Sequence, residues 1–319
     1  MSAAPPDGDL AIQTQGLSKS FGKRRAVNGL DLDVPRGSVF GFLGPNGSGK
    51  TTTIRMLLGL ATPSSGTITV LGRPMPEAAM DVLPRVGALV EGPAFYPYLS
   101  GRANLLRLDA ADRRADSATR AARVDRALDT VGLGKAARLA VHAYSLGMKQ
   151  RLGIANALAT SHELLVLDEP TNGLDPQGTR EVRHLIASLA GQGTTVFVSS
   201  HLLAEIDQMC THAAVMSVGN RVAQGTLAEL RADGVAEVRV TTPDDAGARA
   251  VLARLGLVPD GAAGHDVVRA PLPDGSPEPE LIVETLVAAG VRVRGFAVER
   301  PSLEDRFVAL TGEGFDLAQ

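Results

Sequence analysis

A single cysteine, Cys210, in 319 residues excludes an internal disulfide framework and suits a reducing compartment. One thiol cannot build a metal cluster, and the six histidines lack the i, i+4 pairing of a helical zinc site, so no structural metal is expected. Tryptophan is absent and aromatics make up only 3%, which disfavours a platform for stacking single-stranded bases. Positive charge is not in excess: 32 basic residues face 35 acidic ones, a formal charge of -3, so no nucleic-acid partner is expected. No stretch reaches the roughly 18 consecutive apolar residues of a membrane span. The opening MSAAPPDGDL has neither the basic nor the apolar region of a secretory signal. What remains is an apolar fraction of 44% with 21% charge, long enough for one large domain and one small one.

Residues 1–9 form a Pro/Ala/Asp-rich tail that is expected to be disordered. Partly alternating segments between Ala11 and Val34 suggest strands joined by a turn at Phe21-Gly22-Lys23. The run Ser38–Gly44 then reads as a buried strand that breaks into a glycine-rich loop, and residues 51–60 carry apolar positions at helical spacing. Ala, Arg, Asp and Leu dominate from Arg102 to about Ala140, the composition of a helical insertion. Two further apolar strands, Glu163–Pro170 and Thr194–His201, flank a helix around Arg180–Ala190. Short apolar strands alternating with helices predict an α/β fold with a largely parallel sheet. A break at Arg231–Gly234 is followed by six short elements that read as a small α+β domain, with strands at Ala236–Thr241, Asp266–Arg269 and Val291–Val298.

Gly44-Pro45-Asn46-Gly47-Ser48-Gly49-Lys50-Thr51 matches GxxxxGK[ST], a loop whose backbone N–H groups close around phosphate. In that reading Lys50 reaches the β/γ-phosphates, the Thr51 hydroxyl ligates Mg²⁺, and Thr52 continues the helix that opens there. Leu164-Leu-Val-Leu-Asp168-Glu169 sets two carboxylates at the end of an apolar strand, where unpartnered burial would be costly. Asp168 is expected to hold Mg²⁺, directly or through water, and Glu169 to act as general base on the attacking water.

Further along, Tyr144-Ser145-Leu146-Gly147-Met148-Lys149-Gln150-Arg151 resembles the signature sequence of ATP-binding cassette (ABC) ATPases, often LSGGQ. Ser145 follows Lys50 by 95 residues and precedes the Asp168-Glu169 strand, the order that family uses. Asn172-Gly-Leu-Asp175 resembles its D-loop, Ser199-Ser-His201 its switch histidine, and Phe21 stands where the family has its adenine-stacking aromatic. The resemblance covers about residues 10–231. It implies a P-loop NTPase (RecA-like) core with antiparallel β and helical subdomains, the helical one at about 92–160, and an accessory domain over 235–319. Two departures stand out. The signature holds one glycine, so Ser145 and Gly147 must supply the γ-phosphate contacts, alongside Gln150 and Asp175 in the nucleotide set. Residue 91 is Glu where the family usually has Gln; Glu91 can coordinate Mg²⁺ or orient water but adds negative charge near the phosphates.

The segment PAFYPYLSGRANL resembles a subgroup that includes bacitracin- and lantibiotic-resistance exporters, and Pro301–Phe307 resembles the accessory domain that ends many drug-export cassettes. Capping by Ser302 and packing by Leu303, Phe307 and Leu310 would explain the latter segment without chemistry. The resemblance implies an ATP- and Mg²⁺-dependent ATPase working as a head-to-tail dimer with a second cassette, identical or not. It implies a peripheral place on the cytoplasmic face of the cell membrane, a separate permease polypeptide and export of a drug or peptide antibiotic. A regulatory ATPase, or one acting on nucleic acid or ribosomes, is the alternative.

Overall fold

A computed structural model describes residues 9–90, 95–112, 115–160, 162–232, 235–260, 266–273 and 275–299. The expectations for residues 1–8, for Glu91 and for Pro301–Leu310 lie outside these. The described chain divides at Leu227 and Ala228 into two compact units. Among the described residues no helix is long and apolar enough to cross a membrane.

The first unit begins with β1 (Leu10–Phe21) and β2 (Arg24–Pro35), a long antiparallel hairpin, then β3 (Val39–Leu43) and α1 (Lys50–Leu57). There follow β4 (Ser65–Val70), β5 (Arg73–Met75), α2 (Ala79–Val82) and β6 (Val86–Leu89). Helices α3 (Gly101–Ala111), α4 (Arg120–Thr130) and α5 (Leu146–Leu158) come next. The unit closes with β7 (Leu164–Asp168), α6 (Pro176–Gly191), β8 (Thr195–Ser200), α7 (Leu203–Met209), β9 (His212–Ser217) and β10 (Asn220–Thr226), and α8 (Leu227–Ala232) starts at the division.

Six strands form the central sheet in the order β10-β9-β3-β8-β7-β6. All neighbours in it are parallel except β9 and β10. Every residue of β3, β7 and β8 is buried, as continuous apolar strands covered on both faces require. Phe197 of β8 stacks on Phe40 at 5.8 Å and tilts against Phe42 at 5.3 Å, which locks β3 to β8 at the centre. A second sheet, β2-β1-β4-β5, is antiparallel, and its inner face shares one core with α1 and the central strands. The sequence reading did not separate β4, β5, β6, β9 and β10, which are short or only partly apolar.

The helical stretch between β6 and β7 is organised by one buried acid. The Asp109 side chain on α3 is fully buried and receives Arg123 at 2.8 Å and Arg120 at 2.9 Å, both from the α4 side. Nothing in the periodicity of the segment marks that pairing.

The second unit holds β11 (Ala236–Thr241), α9 (Asp245–Arg254), β12 (Val267–Leu272), α10 (Pro279–Ala288) and β13 (Gly295–Glu299). Its sheet, β12-β11-β13, is antiparallel, and Val238, Val240, Leu252, Val268 and Ile282 form its core. The last strand starts four residues later than the sequence suggests. Val291 is spent on ending α10: after Gly290 at φ 80 its N–H bonds back to Leu286 O, while its side chain enters the core.

Removing the buried acid should be costly, because two guanidinium groups would lose their counter-charge. Asp109→Ala is expected to lower unfolding free energy by about 3 kcal/mol. Asp125→Ala, which breaks the exposed Arg102–Asp125 pair, should cost less than about 1 kcal/mol. Urea denaturation of both variants checks the contrast.

Candidate functional site

The glycine-rich loop leaves the carboxyl end of β3 and turns into α1. Gly49 caps the helix at φ 107, and a Cβ there would stand 2.5 Å from the carbonyl oxygen of Ala26 on β2. Only glycine lets the loop pass that close to the hairpin. The turn between β1 and β2 thereby faces the loop, and the two enclose a cleft of about 420 Å³. Phe21, Arg24 and Ala26 line it from the hairpin, Asn46, Gly47 and Gly49 from the loop, Lys50, Thr51 and Thr52 from the helix, and Glu169 from just past β7, whereas Gly44, Pro45, Ser48, Asp168 and His201 do not line it.

Lys50 is 5% exposed. Its Nζ donates to Gly44 O at 2.6 Å and Pro45 O at 3.3 Å, and it lies 3.4 Å from Glu169 Oε1. Burial pushes the ammonium below its ordinary pKa, and the Glu169 and Asp168 carboxylates oppose that shift. The Ser48 hydroxyl is buried inside the loop without a hydrogen-bond partner. A buried orphan donor among backbone amides at a helix start is the chemistry a phosphate oxygen satisfies. Phe21, by contrast, is 54% exposed, and Lys19 Nζ stands over its ring at 5.1 Å from the centroid.

β7 and β8 are neighbours, so their ends bring three further groups to this edge. Asp168 pairs in register with Ser199, whose Oγ donates to Asp168 Oδ1 at 2.5 Å and accepts from Glu169 N at 3.0 Å. Glu169 adopts φ 49, a left-handed conformation that a residue with a side chain holds only when its surroundings impose it. Its Oε2 meets His201 Nδ1 at 2.7 Å. The Glu169 carboxylate therefore stands between a lysine and a histidine, with Asp168 beside it.

The other expected residues lie elsewhere in the first unit. Ser145 caps α5, its Oγ accepting from Met148 N at 3.2 Å, and Asp175 caps α6, Oδ1 accepting from Gly178 N at 2.9 Å. Leu146 packs over Gly173 and Leu174 lies beside Gly147, so the signature and the D-loop touch each other within one chain. Gln150 is buried with its Oε1 unpartnered. None of these four lines the cleft. Glu91 lies outside the described residues. The sequence reading passed over Arg24, a second cation in the cleft, although it follows Phe21 by three residues. It also passed over Ser199, which stands inside the quoted Ser199-Ser-His201 run.

The family model described as "ABC transporter" matches residues 27–172. The bacitracin transport ATP-binding protein BcrA of Bacillus licheniformis is 46% identical over 209 residues, 65% of this chain and 67% of that one. The daunorubicin resistance ATP-binding protein DrrA3 of Streptomyces coeruleorubidus is 38% identical over 309 residues, 96% of this chain and 97% of that one. The chain belongs to the ABC transporter family. It is one of that family's ATPase subunits, and its fold is the family's nucleotide-binding cassette. Among solved structures, cbiO1 of Clostridium perfringens, part of an ABC transporter complex, superposes with a TM-score of 0.64 at 27% identity, over 78% of this chain and 96% of that one.

In an ABC cassette of this geometry, Gly49→Ala should displace the loop, because the new methyl meets the Ala26 carbonyl at a φ that L-residues avoid. A destabilisation of about 1–3 kcal/mol is expected, with nucleotide affinity lost together with the thermal transition. Equilibrium binding of a fluorescent ATP analogue beside calorimetry checks it.

Proposed function

We propose that this ATPase powers export, as a peripheral subunit on the cytoplasmic face of the membrane that drives a separate permease polypeptide carrying a drug or peptide antibiotic. The observation that carries the reading is the cleft lined by an exposed aromatic ring, a buried lysine and Glu169, whose carboxylate His201 holds. Relatives described as transport and resistance ATP-binding proteins support export and speak against a regulatory or ribosome-bound ATPase.

In this reading the adenine stacks on Phe21, and the loop amides from Gly44 to Gly49 with Lys50 and Thr52 hold the phosphates. The Thr51 hydroxyl and the Asp168 carboxylate are hard oxygen donors that suit Mg²⁺, whose role would be to offset charge on the β- and γ-phosphates. Phosphate oxygens and water would supply the remaining ligands, as is usual for Mg²⁺ at a nucleotide, together with Glu91 if it reaches the metal. Glu169 takes the proton from the water that attacks in line with the γ-phosphate. His201 fixes the carboxylate through Nδ1 and senses the γ-phosphate through the rest of its ring. Glu91 stands as a second acid for metal or water.

Ser145, Gly147, Gln150 and Asp175 serve the nucleotide of a second cassette, most simply an identical one. Ser145 caps its helix while exposed, so the positive end of α5 is available to a γ-phosphate held by a partner.

Glu169→Gln keeps the side-chain shape and removes the base. It should bind MgATP and hydrolyse about 10²- to 10⁴-fold more slowly, accumulating as an ATP-bound dimer. Single-turnover hydrolysis and dimer mass measure this, with Glu91→Gln in parallel. Wild-type turnover by Glu169→Gln, with failure of Glu91→Gln, reverses the two assignments. Ser145→Arg should leave ATP binding by a monomer intact and abolish ATP-driven dimerisation in light scattering; normal dimerisation and turnover would remove the shared-site reading.

A further inference from the structure

Glu169 and His201 sit just past the ends of β7 and β8, where the ladder hydrogen bonds between the two strands have stopped. Only side chains hold those two loops in register from there on. One link is the Glu169–His201 hydrogen bond itself, which uses Glu169 Oε2 and leaves Oε1 beside Lys50. The Ser199 hydroxyl that accepts from Glu169 N is a second, and a third runs through a buried acid. Glu205 on α7 is 7% exposed, and its Oε2 accepts from Thr171 Oγ1 at 2.6 Å and from Ser200 Oγ at 3.0 Å. Thr171 is two residues after Glu169, and Ser200 immediately precedes His201. The Ser200 hydroxyl also accepts from Leu202 N at 3.0 Å, so the backbone on the far side of His201 is held too. Glu169, Thr171, Glu205, Ser200 and His201 thus close a ring of side chains and backbone around the proposed base.

The anchor of that ring is rigid. A Cβ on Gly41 of β3 would stand 2.7 Å from Ile206, the residue after Glu205, so α7 rests directly on the central strand. Thr171 is 5% and Ser200 1% exposed, so water does not compete for either hydroxyl. A buried carboxylate is expensive and is retained only where its hydrogen bonds are made, here by two hydroxyls from two different loops. Burial and the Glu205 carboxylate push the Cys210 thiol above its ordinary pKa.

We infer that Glu205 is a positioning residue of the ATPase: its buried carboxylate ties the loop of Glu169 to the end of β8 that leads into His201, and so keeps the base aimed. This rests on Glu169 acting as the base. Glu205 is buried and does not line the cleft, so its effect passes through the geometry of the other two.

The test uses the full chain and single-turnover hydrolysis of MgATP, with ATP affinity measured separately. Glu205→Leu is expected to lower the rate about 10- to 100-fold, the cost of a base misplaced by roughly an ångström, and to change ATP affinity by less than about twofold. Glu205→Gln should recover most of the rate, because its amide oxygen can accept from both hydroxyls. Thr171→Val should lose rate and Thr171→Ser keep it; should Glu205→Leu fail to fold, this pair makes the same test at nearly constant volume. In a Glu169→Gln background Glu205→Leu should slow the reaction by less than about twofold further, since there is no base left to aim. A wild-type rate in Glu205→Leu, a loss that Glu205→Gln does not restore, or a full multiplicative loss on top of Glu169→Gln overturns the proposal. Wild-type hydrolysis by Glu169→Gln alone would instead overturn the base assignment on which it rests.

Discussion

A buried ammonium sets the terms for the cleft. Lys50 is almost wholly removed from water, and such a charge is tolerable only where oxygens surround it. The carbonyls of Gly44 and Pro45 supply two and Glu169 a third. The loop must therefore curl back over the helix it starts, and the end of β7 must arrive close enough to offer its carboxylate. Both conditions depend on β3 lying inside the sheet, where its carboxyl end opens between neighbouring strands. A polyanion entering the cleft would meet the loop amides, the Ser48 hydroxyl and a lysine already held in place, so little reorganisation is left to be done on binding.

Strand order does the rest of the assembly. Because β3 has β8 on one side and β7 lies next to β8, the loop, the two carboxylates and the histidine all emerge along one edge. Ligand sites of open parallel sheets lie at that carboxyl edge. The antiparallel sheet contributes differently: its hairpin reaches over the loop at Ala26 and presents Phe21 to the opening. One sheet therefore supplies the lysine and the carboxylates, the other an aromatic ring and a second cation, Arg24. The left-handed Glu169 is the strained point between them, and a serine, a histidine and the turn to Asn172 hold it there.

The sequence by itself determined the parts whose chemistry is packed into a few adjacent residues. Eight consecutive residues from Gly44 to Thr51 specify the loop, since glycines, lysine and hydroxyl must follow one another along the chain to cradle phosphate. The apolar run into Asp168-Glu169 specified a buried strand ending in acid, whereas the capping of two helices by Ser145 and Asp175 shows only in the structure. Tertiary structure alone decided which polar groups meet beneath the surface. Ser199 reaches Asp168 across 31 positions, Thr171 reaches Glu205 across 34, and Asp109 collects two arginines from the next helix. No periodicity encodes such pairs, because each polar residue is locally indistinguishable from a solvated one. The low dielectric of the interior makes the partner obligatory, and only the strand order determines which partner is within reach.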